Sequence, residues 1–220
     1  MTAVLFDYPK SAAFGRVLPK NKIYEHGNPS AAVKELFIRQ VEQIVWQYKL
    51  APETVNLTPS RAAPEIQIFR IALKTGELKH DVLHCIDQAI PFPILFELKY
   101  KGKIQAIAAF KRPSDADISK WVMSDYFESD WVDPLIRADL PVALNLEALY
   151  EQMLQRLIPL KIRTGETMQA LVNRAEQVKK LEREIGLMKS RIRKEKQFNR
   201  RVELSSSLRK LAGDCADLRI

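Results

Sequence analysis

The 220-residue chain is 46% hydrophobic, enough for one ordinary core and too little for several independent enzymatic domains. No apolar run is long enough to cross a membrane and the first residues lack a signal-peptide pattern, so a cytoplasmic protein is expected. Cys85 and Cys215 stand far apart with no second thiol near either, which argues against a disulfide framework or a zinc knuckle, while a formal charge of +8 favours anionic partners.

After a leader containing Pro and Lys, "NPSAAVKELFIRQVEQIVWQYKLAP" has Asn28 or Ser30 as a cap and apolar residues at 33, 36, 37, 41, 44, 45 and 48. That spacing predicts one helix ended by Pro52. "EIQIFRIAL" alternates and predicts a strand. In "LKHDVLHCIDQAIP", Leu78, Val82, Cys85, Ile86 and Ala89 share one side of a helix, which places His80, His84 and Asp87 on a solvated face. "PFPILFELKY" and "IQAIAAFKR" then read as antiparallel strands joined by a tight turn at Lys101-Gly102. "SDYFESDWV" adds a strand and "LNLEALYEQMLQRLI" a helix.

Beyond Pro159 the character changes. From Met168 the apolar positions fall at steps of three and four, through Leu171, Val178, Leu181, Ile185, Met188 and Ile192, which predicts a coiled coil and a self-association seam. The seam lapses at "KEKQFNRRVELSSS" and partly recovers from Leu208; one continuous helix over 166–218 would reach on the order of 75 Å. The predicted class is therefore α+β: a small mixed or antiparallel sheet with packed helices in 1–160, then a long basic coiled-coil helix in 161–220.

Charge follows the same division. Lys161 to Lys210 holds 15 lysines and arginines against six glutamates and no aspartate, leaving the rest of the chain about neutral, and Pro113 to Asp139 holds seven acids against Lys120 and Arg137. Arg191, Arg193, Lys194, Lys196, Arg200 and Arg201 crowd around a single acid, Glu195, a density beyond what solubility asks for. Contact with DNA phosphates or an acidic partner is the functional reading; a solvated coiled-coil exterior is the bland one.

Glu97 and Lys99 form a Glu-x-Lys pair, with Asp87 upstream. A restriction-endonuclease-like site needs such residues, because two carboxylates share a divalent ion while the lysine positions the attacking water. Strand alternation alone also puts Glu97 and Lys99 on one polar face, and Asp87 falls in a helix, so replacing both is expected to be tolerated. "HDVLH" departs from the zincin pattern by Asp81 in place of Glu, and seven glycines provide no phosphate-cradling loop. No metal or other cofactor is expected. Trp46, Trp121 and Trp131 read as packing residues.

"IYEHGNPSAAVKELFIRQVEQIVWQYKLAPETVNL", "CIDQAIPFPILFEL" with "AAFKR", and "KEKQFNRRVEL", in that order, resemble a bacterial and archaeal family known as a domain of unknown function, number four-three-nine-one. The resemblance spans nearly the whole chain. It implies genes beside those of helicases and DNA methyltransferases in antiviral-defence or restriction-modification islands, and hence an accessory role. It carries no catalytic residues over, and it implies that the lysine of Glu-x-Lys is not a fixed feature. The expectation is a non-enzymatic adaptor that docks on a helicase, nuclease or methyltransferase subunit, touches DNA through its basic helix and forms a homo-oligomer through the seam. The rival is a metal-dependent nuclease using Asp87, Glu97 and Lys99; a toxin-like regulator has no residue-level support.

Overall fold

The computed structural model describes residues 3–114, 116–117 and 120–220. Asp115 of the acidic run lies outside them. The chain runs through β1 (Leu5–Asp7), β2 (Ala13–Val17), α1 (Lys20–Gly27), α2 (Ala31–Gln40), β3 (Val41–Leu50), α3 (Pro52–Val55), β4 (Ile66–Leu73) and α4 (His80–Ala89). It continues with β5 (Ile94–Tyr100), β6 (Lys103–Pro113), β7 (Trp121–Glu128), β8 (Arg137–Asp139), α5 (Leu146–Gln155), α6 (Met168–Lys194) and α7 (Phe198–Arg219). The class is α+β, as expected, and two compact units divide it, Met1–Leu157 and Ile158–Ile220.

In the first unit a mixed six-stranded sheet has the order β2-β3-β4-β5-β6-β7. Every neighbouring pair is antiparallel except β4 and β5, which run parallel because α4 carries the chain back between them. β1 and β8 form a separate parallel pair with Leu5 opposite Arg137. One face of the sheet presents Phe69, Ile71, Phe96, Leu98 and Tyr126, covered by Ile23 of α1, Phe37 of α2 and Val82, Leu83, Cys85 and Ile86 of α4. Helix α1 approaches α4 so closely that a Cβ on Gly27 would lie 2.6 Å from the carbonyl oxygen of Cys85, so glycine is required there by space. The turn after β5 is the predicted one: Lys101 (φ 45°) and Gly102 (φ 79°) both adopt the left-handed conformation that a two-residue hairpin of primed type demands.

The single helix expected over residues 28–52 is corrected. Ser30 caps α2, its Oγ accepting the Val33 N–H at 3.3 Å, but the helix stops at Gln40 and β3 follows directly. The cause lies in two irregularities of β3, one between Val41 and Gln43 and one between Trp46 and Tyr48. A bulge inserts a residue, so Val41 and Ile44 face the same core three positions apart and imitate helical spacing. The residues themselves, Val41, Ile44, Val45, Trp46 and Tyr48, are strand formers.

The second unit corrects the long coiled-coil helix. Its α6 and α7 are consecutive helices that reverse direction over Glu195, Lys196 and Gln197, where the seam lapses in the sequence. They run antiparallel: near the start of α6, Arg174 Nη1 donates to the carbonyl of Leu218 at 2.8 Å, and Glu182 pairs with Arg219. Helix α6, of 27 residues, therefore extends only about 40 Å. Leu204, Leu208, Leu211, Cys215 and Leu218 recur at steps of four and three along α7, the spacing of a side laid against another helix. A bidentate ion pair closes the base of the hairpin, with Arg174 Nε and Nη2 each 2.7 Å from the Glu166 carboxylate.

Candidate functional site

The sequence-predicted residues Asp87, Glu97 and Lys99 do not meet. Phe96 and Leu98 belong to the helix-covered face of the sheet, so alternation turns Glu97 to the opposite face, while Asp87 lies in α4 and bonds to Tyr126 on the helix side. Lys99 is exposed. The expectation that Glu97 lies on a solvated polar face is also corrected: β5 is an interior strand, and Glu97 is 1% exposed.

Glu97 is instead the centre of a buried charge cluster. Register places Arg70 of β4 directly opposite it, with Arg70 Nη2 donating to Oε2 at 2.7 Å and Nε at 3.2 Å. Arg137, at the start of β8, donates from Nη1 to Oε1 at 2.9 Å and from Nη2 to Oε2 at 3.2 Å, and its Nη1 also reaches the carbonyl of Phe6 at 2.7 Å. The carboxylate thereby links the sheet to the β1–β8 pair, with both oxygens engaged by guanidinium groups. The Tyr8 hydroxyl is buried and makes no hydrogen bond among the described residues; burial first, then the Glu97 charge, pushes its phenol well above the usual range.

A second buried cluster lies on the helix side. Asp87 is buried, which corrects its placement on a solvated face of α4, and its Oδ2 accepts the Tyr126 hydroxyl at 2.6 Å. Lys111 Nζ lies 3.3 Å from Asp87 Oδ1, donates to the Asp87 carbonyl at 2.6 Å and to the Phe92 carbonyl at 3.2 Å, and also reaches the carbonyl of Ile90. Burial raises the Asp87 carboxyl and lowers the Lys111 ammonium, each opposed by the charge of the other. An ammonium has three protons and no acceptor, and four oxygens already surround this one. Lys111 is thus a staple for the C-terminal end of α4 rather than a free nucleophile or anion binder, although a pocket of about 430 Å³ lined by His84, Asp87, Gln88, Trp121 and Met123 opens beside it. Behind it the Tyr150 hydroxyl bridges the irregularity in β6, donating to the Ala109 carbonyl at 2.6 Å and accepting the Lys111 N–H at 2.9 Å.

His80 packs against Tyr126 in a tilted arrangement, ring centroids 5.0 Å apart and planes at 56°, and His84 Nε2 lies 3.1 Å from Gln88. Among the described residues no three His, Cys, Asp or Glu side chains are placed to hold a metal ion, and no helix is long and apolar enough to cross a membrane.

In the second unit Arg191, Arg193, Lys194, Lys196, Arg200 and Arg201 are all exposed and gather at the turn between α6 and α7. Of the expected seam, Leu171 and Val178 are buried inside this chain and so are withdrawn from any surface, while Leu181, Ile185, Met188 and Ile192 remain half-buried. Arg70, Lys111 and Arg137 were not singled out by sequence. Arg70 interrupting "IQIFRIAL" and Lys111 ending "IAAFK" do signal charges inside apolar strands that must find partners, but nothing around Arg137 does.

The family model described as "Domain of unknown function (DUF4391)" matches residues 6–213. The chain belongs to the DUF4391 family. No curated protein and no solved structure matches it. The match takes in both units of this DUF4391 protein, spanning the six-stranded sheet and most of the helical hairpin.

Proposed function

We propose that this DUF4391 protein is a non-enzymatic adaptor that docks on another protein through its first unit and presents a basic helical hairpin to nucleic acid. The observation that carries this reading is an aliphatic surface between β7 and α5. Leu135, Val142 and Leu144 are almost fully exposed and Ile136 largely so, all within ten positions. Isolated apolar residues are common on surfaces, but four large ones on one short segment are what a protein interface requires. Leu140, in the same segment, lines an open groove of about 640 Å³ with Asp7, Tyr8, Thr54 and Val55, which gives a partner side chain somewhere to seat. The buried carboxylates favour this over the nuclease reading, since Glu97 is saturated by two arginines and Asp87 by Lys111 and Tyr126.

The partner proposed is a helicase, nuclease or methyltransferase subunit of an antiviral-defence system, in the cytoplasm. The test is affinity purification of tagged chain from its native host, beside a variant carrying Leu135→Asp, Val142→Asp and Leu144→Asp. The wild type should bring down one protein in stoichiometric amount and the folded variant should lose it. A variant that retains the partner, or a wild type that brings none, removes the adaptor reading.

A further inference from the structure

We infer that the turn of the hairpin is a binding site for single-stranded nucleic acid, with Phe198 as a base-stacking platform among unpaired cations. The inference rests on the proposed nucleic-acid role of the hairpin and names the kind of strand it takes. Residues 187–202 hold seven lysines and arginines and one acid, Glu195, whose carboxylate is already occupied by the Gln197 N–H at 2.9 Å and by Arg200 Nε at 3.6 Å. Arg191, Arg193, Lys194, Lys196 and Arg201 have no acidic partner among the described residues. A row of free, exposed cations suits a phosphate backbone.

Phe198 narrows the choice. It opens α7, is 72% exposed, and Val202 follows one turn later, also exposed. The apolar residues that give α7 its packed side, Leu204, Leu208, Leu211 and Cys215, centre about 110° around the helix from Phe198, so the ring lies off that packed side and in solvent. An aromatic ring in water beside lysines and arginines gains nothing from a duplex, whose bases are stacked on one another and show only their edges. An unpaired base can lie flat on it while its phosphates meet the cations. The ring stands open to solvent, so binding should be tolerant of sequence.

The test is fluorescence anisotropy with the full chain, using labelled single-stranded DNA and RNA about 20 nucleotides long and a duplex of the same length. The single strands should bind more tightly than the duplex. Phe198→Ala should weaken single-strand binding by about 5- to 100-fold while Phe198→Tyr restores it, and neither should change duplex binding. If five cations meet phosphates, log affinity for the single strand should fall against log salt with a slope of about −3.5, and Phe198→Ala should leave that slope alone. Reversing Arg191, Arg193, Lys194, Arg200 and Arg201 to Glu should abolish binding. Equal affinity for duplex and single strand, or full single-strand binding by Phe198→Ala, overturns the stacking site while leaving an electrostatic contact in place. Absence of binding to any strand at low salt overturns it as well, and an acidic protein surface then becomes the occupant. The partner purification above is decided independently, because its variants leave the hairpin untouched.

Discussion

Replacing Glu97 separates a structural carboxylate from a catalytic one. A catalytic acid is held in place at some cost to stability, so its removal is commonly neutral or stabilising in the folded enzyme. Glu97 should behave in the opposite way, because Glu97→Ala leaves Arg70 and Arg137 facing each other with no anion between them. Breaking a buried ion pair costs about 3–5 kcal/mol. The arginine side chains keep 28% and 15% of their exposure, so water screens part of the repulsion and the lower end, about 3 kcal/mol, is expected. Glu97→Gln keeps the shape and should lose less, while Lys99→Ala, at an exposed site, should fall within about 0.5 kcal/mol of the wild type. The double replacement expected to be harmless from strand alternation is thus harmful through Glu97 alone. Trp46, Trp121 and Trp131 all belong to Met1–Leu157, so intrinsic fluorescence during urea unfolding reports that unit separately. A loss below about 1 kcal/mol for Glu97→Ala, together with loss of a Mg²⁺-dependent cleavage by folded protein, would refute the structural assignment and restore the nuclease.

Tyr150→Phe should cost about 1–3 kcal/mol in the same assay, because the buried Ala109 carbonyl loses a donor and the Lys111 N–H its acceptor; a change within error would mean that water enters the bulge. The side-chain hydrogen bonds from Arg174, aided by the Arg163 N–H, hold the Glu166 carboxyl at about 2, below its value in an unfolded chain, so the hairpin should keep this stabilisation above pH about 4.5 and lose it as pH falls toward 2. Thermal melts followed by helical circular dichroism should show that acid-side loss in the wild type and not in Glu166→Gln, which starts lower at neutral pH; parallel pH profiles would remove Glu166 from the account. Self-association should proceed through the half-buried Leu181, Ile185 and Met188, so light scattering should give more than a monomer mass at micromolar protein, and Asp at all three positions should reduce it to a monomer. A wild-type monomer would show that the chain covers its own seam.

What the sequence disclosed depended on whether a signal was local. Alternation in Ile66–Leu73, helical spacing in His80–Ala89 and the Lys101-Gly102 turn each depend on neighbours in the chain, and all three elements formed as expected. Local patterns failed where a distant partner decided. The bulges of β3 exist only by pairing with β4, and without them Val41 and Ile44 read as helix. Likewise the seam of α6 announced that it needed an apolar partner but not that α7 of the same chain would supply part of it. The charge clusters were least visible. Glu97 joins Arg137 across 40 positions and Asp87 joins Lys111 across 24, so spacing could suggest an Asp and Glu-x-Lys set while saying nothing of the cations that occupy both acids.

The contact of Gly27 with Cys85 has an experimental use. Both cysteines of the chain are free and buried, Cys85 in the first unit and Cys215 in the second, and burial raises the Cys85 thiol so that little thiolate is present at neutral pH. A Cβ on Gly27 would lie only 2.8 Å from the Cys85 sulfur, so a reagent attached there has no room while α1 is seated on α4, and labelling should wait for α1 to lift. The rate of labelling at each cysteine is therefore a clock for the opening of its own unit, readable by mass spectrometry with no engineered probe.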